Sequence, residues 1–530
     1  MGENMNRWAT IGQVLTSSAS LYPEKIAAKD SRHSLTYSEL NERCCRLGNG
    51  LFDLALRKGD RVAVIAYNGI EWLEIYAAVA KAGLVAVPIM FRLAPSEYRY
   101  ILEHSEARAF IVAEEFIKGV ESVRPELKGI PSSNYVFLGE GKPPAGYLPY
   151  ETLIREASSH EPQIPVNSED IWILSYTSGT TGRPKGVLRS HESYIALFLI
   201  TLAEMALRRD DKSLVVMPMA HINSIQYSFQ FLYTYGSVYV YDQIRFDPEE
   251  ILKIMAEERI TFTSLVPTHY IMILDLPEEV KARYDVGSVR KLLCSSAPAR
   301  RETKIGILQY FKDAQLYEGY GSSEGGLCTI LRPEDLMYKM TSVGKETIGM
   351  APIRILDEQG QDVQPGEVGE LYSKGPSLFC GYWKMPEETA KGFRDGYFSA
   401  GDMARKDEDG FYYLVDRKQN MIITGGENVY PSEVEAVIAS HPTVKDVAVI
   451  GIPDDKWGEA VKAVVVLREG MEAAETLEKE IMDWCRGKIA GYKRPKSIDF
   501  IIDEDMPRTP TGKILHRLLR EKYGKWINHL

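Results

Sequence analysis

The run Tyr176-Thr-Ser-Gly-Thr-Thr-Gly-Arg-Pro-Lys185-Gly-Val187 organises the reading of this chain. Two glycines three apart stand among hydroxyl side chains, and a lysine follows three residues later. The preceding residues, 171–174, are apolar and predict the end of a buried strand. A glycine- and hydroxyl-rich loop leaving such a strand supplies backbone N–H groups, hydroxyls and one ammonium, the donors that polyanionic oxygens need. The spacing is Gly179-x-x-Gly182-x-x-Lys185-Gly, which departs from the Gly-x4-Gly-Lys-Ser/Thr of the P-loop. Taken alone, the run fits a phosphate-handling loop or an exposed turn.

Working outward, short apolar strands alternate with helical stretches on both sides of the run. Arg61-Val-Ala-Val-Ile-Ala66, Val85-Ala-Val-Pro-Ile89 and Ala109-Phe-Ile-Val112 precede it, with helices expected over 70–82 and near 96–106. The rhythm resumes after it at 213–217, 237–241, 260–265 and 290–294. Such alternation predicts α/β architecture, with helices on the faces of parallel or mixed sheets and ligands at loops after strands. From Pro352 the texture changes to short strands over 366–373 and 410–415, a small antiparallel sheet or distorted barrel. An α+β module follows, with a Pro-started helix at 431–438, strands near 447–450, 461–467 and 497–502, and a helix over 477–489. The expected division is a large domain over 1–418 and a small one over 419–530.

Composition narrows the classes. At 530 residues and 45% hydrophobic, the chain exceeds what one core organises. A formal net charge of −11 and scattered basic residues argue against a nucleic-acid footprint, though not against a local basic pocket for a nucleotide. The N-terminal Met1-Gly-Glu-Asn-Met-Asn-Arg-Trp-Ala has no apolar signal core, and no apolar run reaches bilayer length. Cysteines 44, 45, 294, 328, 380 and 485 have neither metal-ligand nor disulfide spacing. A cytoplasmic protein without a transmembrane segment is the expectation.

Further candidates lie downstream. In Leu316-Tyr-Glu-Gly-Tyr320-Gly321-Ser-Ser323-Glu324-Gly-Gly326, glycines admit close backbone approach. Glu324 suits Mg2+ bridging phosphate oxygens, or is simply a solvated turn residue. Asp402 after Gly401 suits vicinal ribose hydroxyls and Arg417 a phosphate or the same sugar, or the two form a surface ion pair. Pro507-Arg-Thr-Pro-Thr511-Gly512-Lys513 places a lysine just past a glycine turn.

Together with Asp416-Arg417-Lys418 and Gly425-Gly426-Glu427-Asn428-Val429-Tyr430-Pro431, these ordered motifs resemble the adenylate-forming superfamily, specifically its acyl-CoA synthetases. The resemblance spans essentially the whole chain. It implies a two-step ligase using ATP, Mg2+ and coenzyme A: a carboxylate attacks the α-phosphorus to give acyl-AMP and pyrophosphate, then CoA displaces AMP. It implies that Thr177, Ser178, Gly179, Thr180, Thr181, Gly182 and Lys185 hold the leaving phosphates. Ser323 would meet the α-phosphate and Glu324 the Mg2+. Asp402 and Arg417 would bind ribose, and Ser296, Ala297 and Pro298 with Glu318, Gly319 and Tyr320 would surround adenine. Lys513 corresponds to the catalytic lysine holding the carboxylate and α-phosphate as charge redistributes. A mobile C-terminal domain would then withdraw Lys513 and bring Gly425-Gly426 to the thioester step. The pivot is Gln419 where the family has Asp or Lys. Ala400 and Ser322-Ser323 depart similarly from the usual Thr and Met/Thr, with no charge lost.

For the acid, His221 in Met217-Pro-Met-Ala-His221-Ile-Asn-Ser224 stands where amino-acid-activating relatives carry an aspartate for the substrate ammonium. An unpaired buried ammonium is costly, so an uncharged tail is expected. His221, Asn223, Tyr227, Gly325 and Gly326 are the pocket candidates, with the two glycines leaving width for a ring. The motifs look nearest to medium-chain, benzoate and alicyclic-acid CoA ligases. Alternatives are loading of a separate acyl carrier protein, luciferase-like oxidation of the adenylate, or a non-catalytic ATP-binding scaffold. Homodimerisation is an expectation without a motif behind it.

Overall fold

The computed structural model describes residues 8–177, 184–297, 299–509 and 512–523. The chain divides into two compact units, Met1–Ile353 with Ser373–Phe398, and Arg354–Tyr372 with Ser399–Leu530. The expected boundary after residue 418 therefore falls inside the second unit. The reason is local bonding. Asp416 accepts the Ser432 N–H at 2.9 Å, and Arg520 donates to the Gln419 and Asn420 carbonyls at 3.0 and 2.7 Å. The Asp416 contact ties the strand before residue 418 to the helix after it, and the Arg520 contacts hold the 419–420 turn to the last helix.

In the first unit, one sheet runs parallel through Gln315–Ser322, Lys291–Cys294, Phe262–Leu265, Lys212–Val215, Ser237–Val240 and Ile26–Lys29, with antiparallel strands at its edges. The other runs parallel through Ile171–Thr177, Val85–Ile89, Arg61–Ile65, Ala107–Ala113 and Tyr135–Leu138. Alternation assigns its two faces. Val62 and Val64 join a core with Tyr76, Phe198 and Phe229 of the helices and with Val215, Val238 and Phe262 of the first sheet. Ala63 and Ile65 face the opposite way, against Tyr98, Ile101 and Leu102. The helices between the sheets are buried nearly all round: Glu71–Lys81 buries ten consecutive residues from Trp72 to Lys81. This is the α/β layering expected.

Differences from expectation have local causes. The strand expected to reach Met217 stops at Val215, because the Asn68 amide takes the Val216 and Met217 carbonyls at 3.4 and 3.1 Å. The expected 477–489 helix is Glu475–Trp484, and Gly487 sits just beyond it with φ +75°.

In the second unit, Arg354–Leu356, Val368–Tyr372, Asp402–Lys406 and Tyr412–Arg417 form an antiparallel sheet. Among the described residues it is open, a sheet and not a barrel, since no pairing joins its first strand to its last. A second sheet centres on Val444–Asp454 and Gly458–Leu467. Val447, Val449, Val461 and Val465 pack on one face with Val434, Ile438 and Ile481. Ala448, Ile450, Val464 and Val466 pack on the other with Met506 and Leu519. No helix among the described residues is long and apolar enough to cross a membrane.

Candidate active site

In the first unit, Thr177 ends a strand and Lys185 opens the next, and the two are paired antiparallel. The connection is strand to antiparallel strand, unlike the strand-to-helix cradle of a P-loop. Ser178, Gly179, Thr180, Thr181 and Gly182 lie outside the described residues, as does Pro298. The Lys185 side chain is 14% exposed; its ammonium pairs with Glu388 at 3.0 Å and lies 5.0 Å from the Tyr382 ring centroid. Tyr382 in turn donates its hydroxyl to Glu324 Oε1 at 2.8 Å. Gly381 and Tyr382 reach this place by pairing with Leu188 and Val187 of the Lys185 strand.

Glu324 is buried in the turn of a hairpin between Gln315–Ser322 and Gly326–Leu331. The turn is fastened on all sides. The buried Arg189 donates to the Ser323 carbonyl at 2.9 Å, Phe379 N–H to the Glu324 carbonyl at 2.8 Å, and Ser377 to the Gly325 carbonyl at 3.1 Å. The two glycines allow this close packing. Gly326 has φ +70°, and a Cβ there would meet Ser377 Oγ at 2.5 Å; one on Gly325 would meet Cys328 Sγ at 2.9 Å. No group of three or more His, Cys, Asp or Glu side chains placed to hold a metal ion is found among the described residues. One fixed carboxylate fits Mg2+ when substrate phosphates and water complete the octahedron.

Glu318 has a partner that the sequence does not announce. Its carboxylate forms a buried ion pair with Lys304 and accepts the Ala299 N–H at 3.2 Å. Burial raises its pKa against the opposing pull of Lys304. Its side chain is thereby bonded to the backbone at Ala299, three residues on from Ser296. Ser296 adopts φ +68°, a left-handed conformation costly for serine and sustained by its surroundings. Gly319 and Tyr320 lie half-buried on the neighbouring strand, Tyr320 paired with Thr329, and Ala297 is half-buried beside Ser296.

His221 caps the helix Ile222–Tyr233, its Nδ1 accepting the Asn223 N–H at 3.2 Å. Burial pulls the imidazole down to about 4, so it is neutral at pH 7. With Nδ1 an acceptor, the proton is assigned to Nε2, which becomes a donor. The loop before it is pinned by Asn68 to the Met219 N–H at 2.7 Å and by Tyr76 to the Met219 carbonyl at 2.9 Å. The Asn223 amide is committed to Ser264 and Ser295 at 2.9 and 3.0 Å. Tyr227 is packed in the core, 3% exposed, with its ring 5.1 Å from Phe262.

In the second unit, strand register sets Asp402 opposite Arg417, and Arg417 Nε meets Asp402 Oδ1 at 2.6 Å. Arg417 also donates to the Ala400 carbonyl at 3.2 Å. Lys513 sits in a turn closed by Gly512 N–H to Thr509 carbonyl at 2.8 Å and Lys513 N–H to Thr509 Oγ1 at 3.0 Å. Its side chain is solvent-accessible, yet crowding around the ammonium lowers the pKa, and the Arg417 charge lowers it further against Asp402 and Asp416. Three predicted residues far apart in sequence thus share one electrostatic neighbourhood. Gly425 and Gly426 form a two-residue hairpin turn with φ +60° and +84°, which favours glycine at both places. A Cβ on Gly425 would strike the Trp457 ring at 2.8 Å. Gln419 lies in the short helical turn Lys418–Asn420.

The sequence reading missed Tyr382, Glu388, Arg189, Lys304, Asn68 and Trp457. Only Gly381-Tyr-Trp383, aromatics directly after a glycine, carried a local signal. The others act through partners remote in sequence.

Comparison with known proteins shows the family. The AMP-binding enzyme family matches residues 15–383, and the AMP-binding enzyme C-terminal domain matches 433–513. A feruloyl-CoA synthase of Amycolatopsis sp. is 36% identical over 96% of this chain and 97% of its own. A long-chain-fatty-acid–CoA ligase, FadD13, of Mycobacterium tuberculosis (strain ATCC 25618 / H37Rv) is 33% identical over 98% and 99%. The crystal structure of the anthranilate CoA ligase AuaEII with anthranoyl-AMP superposes with a TM-score of 0.88 at 27% identity, covering 98% of each chain. The chain belongs to the AMP-binding enzyme family, among the adenylate-forming acyl- and aryl-CoA ligases. Its chemistry is ATP-dependent, AMP-forming acid–CoA ligation.

Proposed function

We propose that this chain joins an uncharged-tail monocarboxylic acid, medium-chain, aromatic or alicyclic, to coenzyme A through an acyl-adenylate. The observation that carries the assignment of roles is the gathering of Lys513 with Asp402 and Arg417. Asp402 and Arg417 hold the ribose. Lys513 neutralises the carboxylate and α-phosphate as the acyl–oxygen–phosphorus bond forms and pyrophosphate leaves. The 177–182 loop with Lys185 retains the leaving phosphates, and Ser323 meets the α-phosphate. Glu324 holds Mg2+, which supplies charge neutralisation on the phosphate oxygens. The Ser296–Pro298 stretch, with Gly319 and Tyr320, holds adenine. In the second half-reaction the CoA thiolate attacks the acyl carbon and expels AMP, with the Gly425-Gly426 turn serving this step and Gln419 as the pivot between the two uses of a mobile C-terminal domain.

Neutral His221 supports the tail assignment: it supplies an N–H donor, and no carboxylate replaces it for a substrate ammonium. Aryl acids are the leading group, since feruloyl-CoA synthase and indoleacetate–CoA ligase are among the relatives. The test is acyl-CoA formation with ATP, Mg2+ and CoA, read by mass spectrometry over short, medium, aromatic and alicyclic acids, with benzoate and cyclohexanecarboxylate included. A thioester with a ring or medium-chain acid supports the proposal. Acyl-AMP without thioester points to a carrier-protein acceptor, and neither product across the panel rejects it. A cytoplasmic location and a homodimer complete the reading, checked by fractionation and sedimentation.

A further inference from the structure

We propose that Glu388 competes with polyphosphate for the Lys185 ammonium, so that pyrophosphate is held less tightly and released more readily. This rests on the reading of Lys185 as a phosphate ligand. Lys185 is poorly exposed, and its charge already has a carboxylate at 3.0 Å. An incoming phosphate oxygen must take the place of Glu388 or share the ammonium with it, and the two anions repel at that distance. Glu388 is equipped to let go. It lies on the helix Pro386–Gly392, where Lys391, one turn on, holds its other oxygen at 2.7 Å. After Lys185 turns to phosphate, the carboxylate keeps a cation.

The helix itself stays in place during such an exchange. Thr389 Oγ1 accepts the Tyr382 N–H at 2.9 Å, and Gly381–Tyr382 is paired with the strand that Lys185 opens. The exchange therefore involves side chains on a fixed frame. Glu388 also stays ionised: hydrogen bonds from Lys391 and Lys185 pull its carboxyl down to about 2. The competitor is present throughout the physiological range. By reciprocity, whatever affinity Glu388 removes from pyrophosphate, pyrophosphate removes from the Glu388–Lys185 pair.

The test is titration calorimetry of magnesium pyrophosphate into the full chain, wild type against Glu388→Gln. The variant should bind about threefold more tightly, the range of a partly exposed ion pair, and the gain should shrink with added salt. Lys391→Ala, which leaves Glu388 leaning on Lys185 alone, should bind more weakly than wild type. In a Lys185→Ala background, Glu388→Gln should change nothing. Unchanged or weaker binding by Glu388→Gln overturns the proposal, as does an equal gain with and without Lys185. A wild-type chain that binds no magnesium pyrophosphate overturns the phosphate assignment itself, and this inference with it.

Discussion

The two units each present one lysine to the proposed chemistry, and the two are kept in opposite ways. Lys185 is poorly exposed, aligned by strand pairing, stacked near Tyr382 and matched with a carboxylate. Lys513 is solvent-accessible, has no ion pair among the described residues, and faces the repulsion of Arg417. The difference fits the charges they are proposed to meet. A leaving pyrophosphate is a strong polyanion that a bare ammonium would hold too long, so a competing carboxylate is useful. A carboxylate–phosphorus transition state gains only diffuse negative charge, and a lysine with no ion pair among the described residues, only the longer-range pull of Asp402 and Asp416, loses little on turning to it.

The largest effect should come from removing Lys513. Lys513→Ala should slow acyl-AMP formation by about 100- to 1,000-fold, the usual loss of a transition-state charge partner. Thioester formation from supplied acyl-AMP should change less than about tenfold, since the two half-reactions use different groups. Pyrophosphate release and thioester formation, measured separately, check this; equal losses in both would falsify the contrast. pH sharpens it. The Lys513 pKa lies below the ordinary lysine value of 10.5, so on raising the pH its proton leaves earlier than that of a free lysine. Adenylation should therefore fall along an alkaline limb centred below 10.5, and Lys513→Arg should move that limb upward.

Next in size is the pair proposed for ribose. Asp402→Asn removes the charged acceptor and the partner of Arg417, and a hydrogen bond to a charged group is worth about 1.5–3 kcal/mol. The KM for ATP should rise roughly 10- to 100-fold. Wild type should discriminate against 3′-deoxy-ATP, and the variant should not. Equal discrimination in both would return Asp402–Arg417 to the status of a surface ion pair.

How much of this was legible in the sequence divides along the same line. Asp402, Arg417 and Lys513 were legible as types because each stands in a dense local motif, and strand register then accounts for the first two meeting. The α/β layering was legible because alternation in runs such as Arg61-Val-Ala-Val-Ile65 sorts residues to opposite faces. The partners of Lys185 were not. Glu388 lies on a short charged helix that reads as solvated surface, and only the pairing of Gly381–Tyr382 with the Lys185 strand brings it near. The partner of Glu318 was illegible for a related reason. The Glu318 motif marks a nucleotide loop, but Lys304, on the helix Arg301–Tyr310, takes its carboxylate. The unit limits at Arg354 and Ser399 were not legible, because contacts such as Asp416–Ser432 join the strand before residue 418 to the helix after it through residues that carry no sequence signal.

The smallest expected effect probes what separates Glu324 from Glu388, two carboxylates of the same unit linked to one tyrosine and one lysine. Tyr382 donates to Glu324 and lies beside Lys185, so it orients the carboxylate proposed for Mg2+ while leaving its charge intact. Tyr382→Phe keeps the ring near the ammonium and deletes only the hydroxyl. One hydrogen bond of this kind nets about 1 kcal/mol, or about fivefold in an equilibrium. The Mg2+ concentration for half-maximal pyrophosphate release should rise by about that factor, with kcat at saturating Mg2+ nearly unchanged. If kcat falls instead and the Mg2+ requirement stays put, Glu324 is acting on the reacting phosphate without the metal. If neither moves, the hydroxyl is packing alone, and the tyrosine belongs with Lys185 and Glu388 on the phosphate side of the unit.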